Sequence, residues 1–148
     1  MRAVLQRIIK ASVEVEGHLI SEINKGLLIF LGVGKNDDEK EIQKLSVKIS
    51  KLRIFEDDNG KMNLSIKDVR GQVLLISQFT LFADCTGGNR PSFFDAENPE
   101  KANTLYLKMR DYLSKENIDV KMGQFGADMK IFALNDGPVT IMLDSHEL

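Results

Sequence analysis

The residues best suited to chemistry in this chain lie in three short polar clusters beside apolar segments. They are "SQFT" (77–80), "GGNRPSFF" (87–94) and "NDGPVT" (135–140). The first cluster closes the apolar run "VLLI", and α/β proteins often place ligand sites where a buried strand ends. The alternative for Ser77 and Thr80 is that their hydroxyls only bond to nearby backbone.

The usual catalytic motifs are missing. His18 and His146 neighbour no Ser or Cys motif and are read as surface residues, and the chain lacks G-x-S-x-G, H-E-x-x-H, C-x-x-C and P-loop patterns. The single cysteine, Cys85, excludes an internal disulfide and multi-cysteine zinc sites, and a structural or incidental thiol is the favoured reading. We therefore expect no metal and no cofactor.

The third cluster is rich in turn formers. Asn135, Asp136 and Gly137 favour a bend, and Pro138 opposes an ordinary strand, so the pattern predicts a hairpin turn before a last strand, "VTIMLD". Gly137 has no Cβ and allows close backbone approach, whereas Pro138 is rigid and cannot donate a hydrogen bond.

The elements that must position these clusters follow from hydrophobic period. Apolar and polar residues alternate on both sides of Glu16-Gly17, and the break in this alternation predicts a hairpin there. The continuously apolar runs in "GLLIFLGVG" and "QVLLISQF" predict buried strands. Two segments have helical period, the second with Pro99 near its first turn. Their apolar positions are Ile42, Leu45, Ile49 and Leu52 in the first, and Ala102, Leu105, Met109 and Leu113 in the second.

Three further strand candidates ("IDVKMGQFG", "DMKIFAL" and "PVTIMLD") give the order β-β-β-α-β-α-β-β-β. This order predicts one α/β domain over residues 1–148, as a sandwich or, preferably, mainly antiparallel sheets forming a barrel-like core flanked by two helices. The pattern leaves the pairing order of the strands open.

Composition narrows the partners and the location. Twenty basic residues against 22 acidic ones give a formal charge of −2, so no global basic field suggests DNA, and any RNA contact must use a local patch. Met1 leads directly into "RAVLQRI" without a signal-peptide pattern, and the longest apolar run is too short to cross a bilayer. A cytoplasmic location with no membrane contact is expected.

Ordered blocks along nearly the whole chain resemble the D-aminoacyl-tRNA deacylase family. They are "MRAVLQRI", "ASVEVEG", "GLLIFLGV", "LRIFEDDNGKMNLS", "SQFTLFAD", "RPSF", "FGADM" and "NDGPVT". "SQFTL" together with "NDGPVT" is the most specific pair. Cys85, and Asn89 before Arg90, depart from the family pattern in the glycine-rich loop.

The resemblance implies a homodimer that hydrolyses D-aminoacyl-tRNA at sites on the subunit interface. It implies that Ser77, Gln78, Phe79 and Thr80 line the pocket for the 3′-terminal adenosine and its aminoacyl ester. It also implies that Gly137-Pro138, with Asn135 beside it, enters that pocket from the partner subunit with a cis peptide bond. Phe125 and Met129 are candidates for packing that fixes this loop, and ordinary core packing is the alternative.

Two mechanisms remain open for this site. Thr80 could be the nucleophile, but neither "SQFT" nor "NDGPVT" holds a histidine or lysine to activate it. We favour attack by water assisted by the terminal ribose 2′-hydroxyl, with backbone N–H groups near Phe79 and Thr80 binding the oxyanion.

Other functions remain as alternatives. The chain could be a tRNA-binding module without catalysis, or a hydrolase of free D-amino-acid esters. Surface cations offered for tRNA phosphates are Arg7, Lys51, Arg53 and Lys61, with solvated side chains as the alternative.

Overall fold

A long first strand organises the protein, whose computed structural model describes residues 1–148. The strands are β1 (Arg2–Val15), β2 (His18–Ile23), β3 (Gly26–Gly32), β4 (Phe55–Glu56), β5 (Met62–Leu64), β6 (Gln72–Ser77), β7 (Asp119–Met122) and β8 (Met129–Asp144). The helices are α1 (Glu39–Lys51) and α2 (Pro99–Lys115), with 3-10 turns at Phe79–Phe82 and Ser145–Glu147. Neither helix is long and apolar enough to span a membrane.

The main sheet has six strands and mixed direction. One edge of β1 pairs with β8, and its other edge pairs with β3 and then β2. All three pairings are antiparallel. From β3 the sheet continues through β6 to β7 by parallel pairing. Ser21 Oγ of β2 donates to Met122 O of β7 at 2.7 Å, so the sheet nearly closes on itself. The predicted barrel-like core flanked by two helices is confirmed.

Both helices form where the apolar period predicts them. Asp38 caps α1 by accepting from Lys40 N–H, and Glu41 completes a capping box. The preceding residue, Asp37, is buried and pairs with the Met1 amino group at 2.7 Å. The apolar face of each helix packs into one core with β1, β3 and β6.

The hairpin predicted at Glu16-Gly17 joins β1 to β2. Both residues have positive φ, 51° and 75°, as a two-residue turn of this hand requires. Two short strands that the sequence pattern did not predict, β4 and β5, flank the Asn59-Gly60 turn.

The C-terminal segment differs from its prediction. Instead of a hairpin, residues 129–144 form one strand, and both halves run antiparallel to β1. Gln6 lies opposite Thr140 while Ile8 lies opposite Asn135, so four residues bulge out opposite Arg7 alone. The turn formers therefore interrupt a strand without reversing it, because β1 is long enough to pair on both sides of them.

Candidate active site

The first polar cluster lies where β6 ends. Residues 73–76 of β6 are fully buried, and the chain then passes through Ser77 and Gln78 into the 3-10 turn at Phe79–Phe82. Gln78 N–H donates to Leu31 O of the neighbouring strand β3 at 2.8 Å, which anchors the turn to the sheet. The buried strand thus delivers a polar segment to the surface at a fixed position.

A cavity of about 600 Å³ opens beside this strand end. Ser77, Gln78 and Phe79 line it together with Phe125 and Met129, so the structure brings together five residues that the sequence offered as site residues. Phe93, from the second polar cluster, also lines it. Sequence reasoning missed the remainder, most of which come from β3, α2 and the segments before α2 and β8: Leu31, Val33, Ile76, Ala96, Glu97, Pro99, Ala102, Tyr106, Gly126, Ala127, Asp128 and Ile131. Their ordinary apolar periodicity gave no signal of a site.

Two aromatic rings form the rim of the cavity. Phe79 and Phe93 meet edge to face with centroids 5.0 Å apart, and their exposed fractions are 57% and 37%. Exposed aromatic rings are the surfaces on which proteins stack nucleobases. The rim can therefore hold a base while the apolar interior holds a side chain.

Tyr106 closes the inner wall of the cavity. Its hydroxyl donates to Leu75 O at 2.7 Å, and burial raises its pKa well above the ordinary value. The phenol is therefore neutral and its proton is already committed, so Tyr106 supplies shape and not proton transfer.

The cavity has two lining carboxylates and no lining histidine or lysine. Glu97 accepts from Lys101 Nζ at 2.7 Å and from Asn98 N–H at 2.8 Å, and these bonds hold the pKa of its carboxyl below the usual value. Asp128 is 85% exposed and pairs with Lys130. A carboxylate of lowered pKa is a weak base, so no strong general base faces the cavity. No group of three or more His, Cys, Asp or Glu residues is placed to hold a metal.

Thr80 lies next to the cavity but does not line it. Its Oγ1 accepts a hydrogen bond from Gln78 Nε2 at 2.5 Å. The N–H of Leu81 donates to Gln78 O, and Leu81 is the first residue of the turn to make such a hydrogen bond. The N–H groups of Phe79 and Thr80 therefore precede the bonded part of the turn and are available as donors.

A second feature, the bulge of β8 at residues 136–139, lies away from this cavity. The Gly137–Pro138 peptide bond is cis. Gly137, Pro138 and Asn135 are exposed, and none of them lines the cavity of their own chain. Within one chain, the residues of the first and third clusters are not brought together.

Arg7 holds the bulge in place. Its Nε donates to Asp136 O at 2.9 Å and its Nη1 donates to Ile54 O at 2.8 Å, and the residue is only 4% exposed. The Asp136 carboxylate lies 3.2 Å from the same Nε. The expectation that Arg7 meets tRNA phosphates is therefore wrong, because the guanidinium is buried against backbone carbonyls.

The middle polar cluster forms an exposed loop. Asp84 and Ser92 exchange both backbone hydrogen bonds across it, at 2.8 and 2.9 Å. Lys35 Nζ lies 3.2 Å from the centre of the Phe94 ring, which fixes the end of the loop. Phe93 is the one residue of the cluster that lines the cavity, and Cys85 is free and exposed.

Together, the fold and the cavity define a small α/β protein with a nearly closed mixed sheet. Its site lies at the end of a parallel strand and has no strong general base. The family model for D-Tyr-tRNA(Tyr) deacylase matches residues 4–144. The chain belongs to this family.

Relatives match over the full length. The D-aminoacyl-tRNA deacylase of Dictyoglomus turgidum is 57% identical over 148 residues, covering 100% of this chain and 95% of the relative. That of Thermosipho melanesiensis is 53% identical and covers 100% of this chain and 99% of the relative.

Solved structures share the fold. A c-Myc DNA unwinding element binding protein superposes with a TM-score of 0.90 at 41% identity, covering 97% of this chain and 98% of its own. A probable eukaryotic D-amino acid tRNA deacylase superposes with a TM-score of 0.81 at 14% identity, covering 96% of this chain and 97% of its own. The second likeness concerns the fold alone.

Proposed function

We propose that the protein hydrolyses the ester between a D-amino acid and the 3′-terminal adenosine of tRNA, and that it spares L-aminoacyl esters. The observation that carries this proposal is a cavity that joins Ser77, Gln78 and Phe79 to an apolar interior without a strong base. An activated ester needs positioning and oxyanion stabilisation more than a strong base. Membership of the family supplies the substrate class.

The active form is a homodimer. β8 pairs only with β1, so its other edge is open, and its outward side chains Phe132, Leu134 and Met142 are 56%, 59% and 76% exposed. A long apolar edge strand is a site of association unless another chain covers it. A second copy related by a two-fold axis would cover the same surface on both chains.

The dimer gives the exposed bulge a role. Gly137 and Pro138 do not line their own cavity, so they complete a site only if they reach the cavity of the partner. Arg7 fixes the backbone of Asp136, which presents the adjoining Gly137-Pro138 segment as a rigid wall. Asn135 is the paired residue that immediately precedes the bulge, and Phe125 and Met129 form the cavity wall that would receive it.

Hydrolysis proceeds by attack of water on the ester carbonyl, with the terminal ribose 2′-hydroxyl relaying the proton to the leaving 3′-oxygen. The N–H groups of Phe79 and Thr80 donate to the oxyanion, and Ser77 and Gln78 hold the ligand. Because the Thr80 hydroxyl neighbours an amide donor and no base, it is a poor nucleophile.

Thr80→Ala should therefore keep substantial activity, whereas a 2′-deoxy terminal adenosine should abolish it. A folded Thr80→Ala protein that binds tRNA without hydrolysis would contradict this mechanism.

Chirality is screened by backbone atoms. Carbonyl oxygens of Gly137 and Pro138 directed at the substrate Cα would meet an L side chain, while a D side chain points away from them. The screen does not read the side chain itself, so many D-amino acids are accepted. Glycine has nothing to reject, which makes glycyl-tRNA mischarged on tRNA(Ala) a further substrate. We place this reaction in the cytoplasm, where aminoacyl-tRNA is made.

One assay separates this proposal from its alternatives. D-tyrosyl-tRNA, L-tyrosyl-tRNA and a free D-tyrosine ester are incubated separately with the protein, and release of tyrosine is measured. Hydrolysis of D-tyrosyl-tRNA alone supports the proposal. Binding of tRNA without any release identifies a non-catalytic binding module, and hydrolysis of the free ester at the same rate identifies a general esterase.

A further inference from the structure

The outward face of α1 carries a row of cations that the proposed reaction does not use. Lys40, Lys44, Lys48 and Lys51 follow one another at helical steps of four, four and three, and with Arg53 they line an open groove of about 760 Å³. We call these five residues the basic stripe. The opposite face of α1 packs into the core.

The basic stripe is poorly neutralised by the protein. Only Lys44 has a carboxylate oxygen within the range of an ion pair, that of Glu41 at 3.8 Å. Arg53 donates to the carbonyl and side-chain oxygens of Asn63, which are neutral. Like charges at i,i+4 destabilise a helix, so this row costs α1 stability unless an anion lies against it. In a chain of formal charge −2, the stripe is the local patch that RNA binding requires.

The position of the basic stripe connects it to the bulge of β8. Arg53 is followed by Ile54, whose carbonyl accepts from Arg7, and Arg7 also binds the carbonyl of Asp136. Arg7 thus links Ile54, the residue after the end of the stripe, to Asp136, the residue before Gly137. Any RNA whose 3′ end meets the bulge passes close to this end of the stripe.

We propose that the basic stripe binds the phosphate backbone of the tRNA acceptor stem, and this inference rests on the proposed function. Lys40 and Lys51 lie about 16 Å apart along the helix axis, which is long enough to meet several phosphates. Such contacts position the duplex without reading its sequence and depend steeply on salt. The stripe thus acts on all tRNAs alike, and it belongs to the subunit whose bulge enters the occupied pocket.

The test compares two triple variants of equal charge change. Lys40, Lys48 and Lys51 are changed to Gln in one variant, and Lys25, Lys115 and Lys121 are changed to Gln in the control. Each variant changes one lysine in the last turn of a helix, Lys51 or Lys115, so any loss of helix stability from that change is matched. Each is assayed on D-tyrosyl-tRNA and on D-tyrosyl-adenosine, which has the ester but no stem.

We expect the stripe variant to lose kcat/KM on D-tyrosyl-tRNA by about 100- to 1,000-fold at 0.1 M salt, since three lost phosphate contacts remove about 2.7 from the salt slope, which corresponds to about 500-fold between 1 M and 0.1 M salt. Its kcat/KM on D-tyrosyl-adenosine should equal that of the control variant. Equal rates of both variants on the tRNA substrate would overturn the inference. So would an equal loss on both substrates, because the damage would then lie in the pocket or the fold.

A binding measurement keeps this inference separate from the proposed reaction. Uncharged tRNA is titrated against wild type and both variants at several salt concentrations. A shallower salt slope for the stripe variant alone supports the stripe even if wild type hydrolyses neither substrate, in which case only the proposed function fails. Identical slopes for all three proteins overturn the stripe whatever the activity.

Discussion

Gly137→Ala tests whether the backbone of the bulge must lie where it does. A Cβ at this position would lie 2.3 Å from Val139 N, a backbone atom, whereas real Cβ contacts essentially never fall below 3.0 Å. The bulge must therefore move by at least 0.7 Å, the difference between these distances. That movement disturbs the 2.9 Å bond from Arg7 to Asp136 O, which holds the segment.

Misplacing a positioning group by about 1 Å can cost on the order of 100-fold in rate. We expect kcat/KM of Gly137→Ala on D-tyrosyl-tRNA to fall about 10- to 100-fold, and its discrimination against L-tyrosyl-tRNA to narrow. Both are measured by release of labelled tyrosine at matched protein concentration. Gly87→Ala is the control, because a Cβ there would meet nothing within 4 Å. If Gly137→Ala keeps wild-type rates on both stereoisomers, the bulge is not the chiral screen.

Three further predictions concern stability and assembly. Tyr106→Phe removes one of the two donors to Leu75 O, while Gly123 N–H still donates to it at 3.0 Å, so the free energy of unfolding should fall by about 0.5–1.5 kcal/mol in urea titration. Tyr112→Phe, whose hydroxyl donates to the exposed Glu39 carboxylate, is the control. Glu97 has a lowered pKa, so its bond to Lys101 contributes above the unfolded value near 4.5 and is lost as pH falls through the folded value. Glu97→Gln should therefore lower Tm more at pH 7 than at pH 3, and an equal loss at both would refute the linkage. Leu134→Arg should disrupt the proposed dimer, so that light scattering detects a monomer and activity is lost with the partner, and an active monomer would contradict a shared site.

Local patterns in the sequence account for most of the elements. The apolar steps of α1 and α2, the Glu16-Gly17 hairpin and the buried strands β3 and β6 are set by neighbours along the chain, so their prediction succeeds. The same local reasoning failed at residues 135–140. Turn formers there predicted a hairpin, but pairing with a distant 14-residue strand keeps both halves in one line.

The site was only partly predictable for the same reason. Polar residues after an apolar run marked Ser77, Gln78 and Phe79, whereas Phe93, Ala102 and Tyr106 join them only through tertiary packing. Arg7 was offered as a surface cation because sequence does not reveal burial of an isolated arginine. Its role became visible only with the carbonyl groups of Ile54 and Asp136 around it.

The pairing of β1 with β8 also bears on how the protein folds during synthesis. Arg2 and Asp144 meet across a separation of 142 residues, so this ladder closes a very long loop and contributes strongly to contact order. Residues 129–144 must leave the ribosome before β1 gains its full-length neighbour. Until then, the Arg7 guanidinium also lacks its hydrogen-bond acceptor, the carbonyl of Asp136. A nascent chain can thus assemble much of its helical core while still lacking the bulge at residues 136–139, the segment that we propose separates the two stereoisomers.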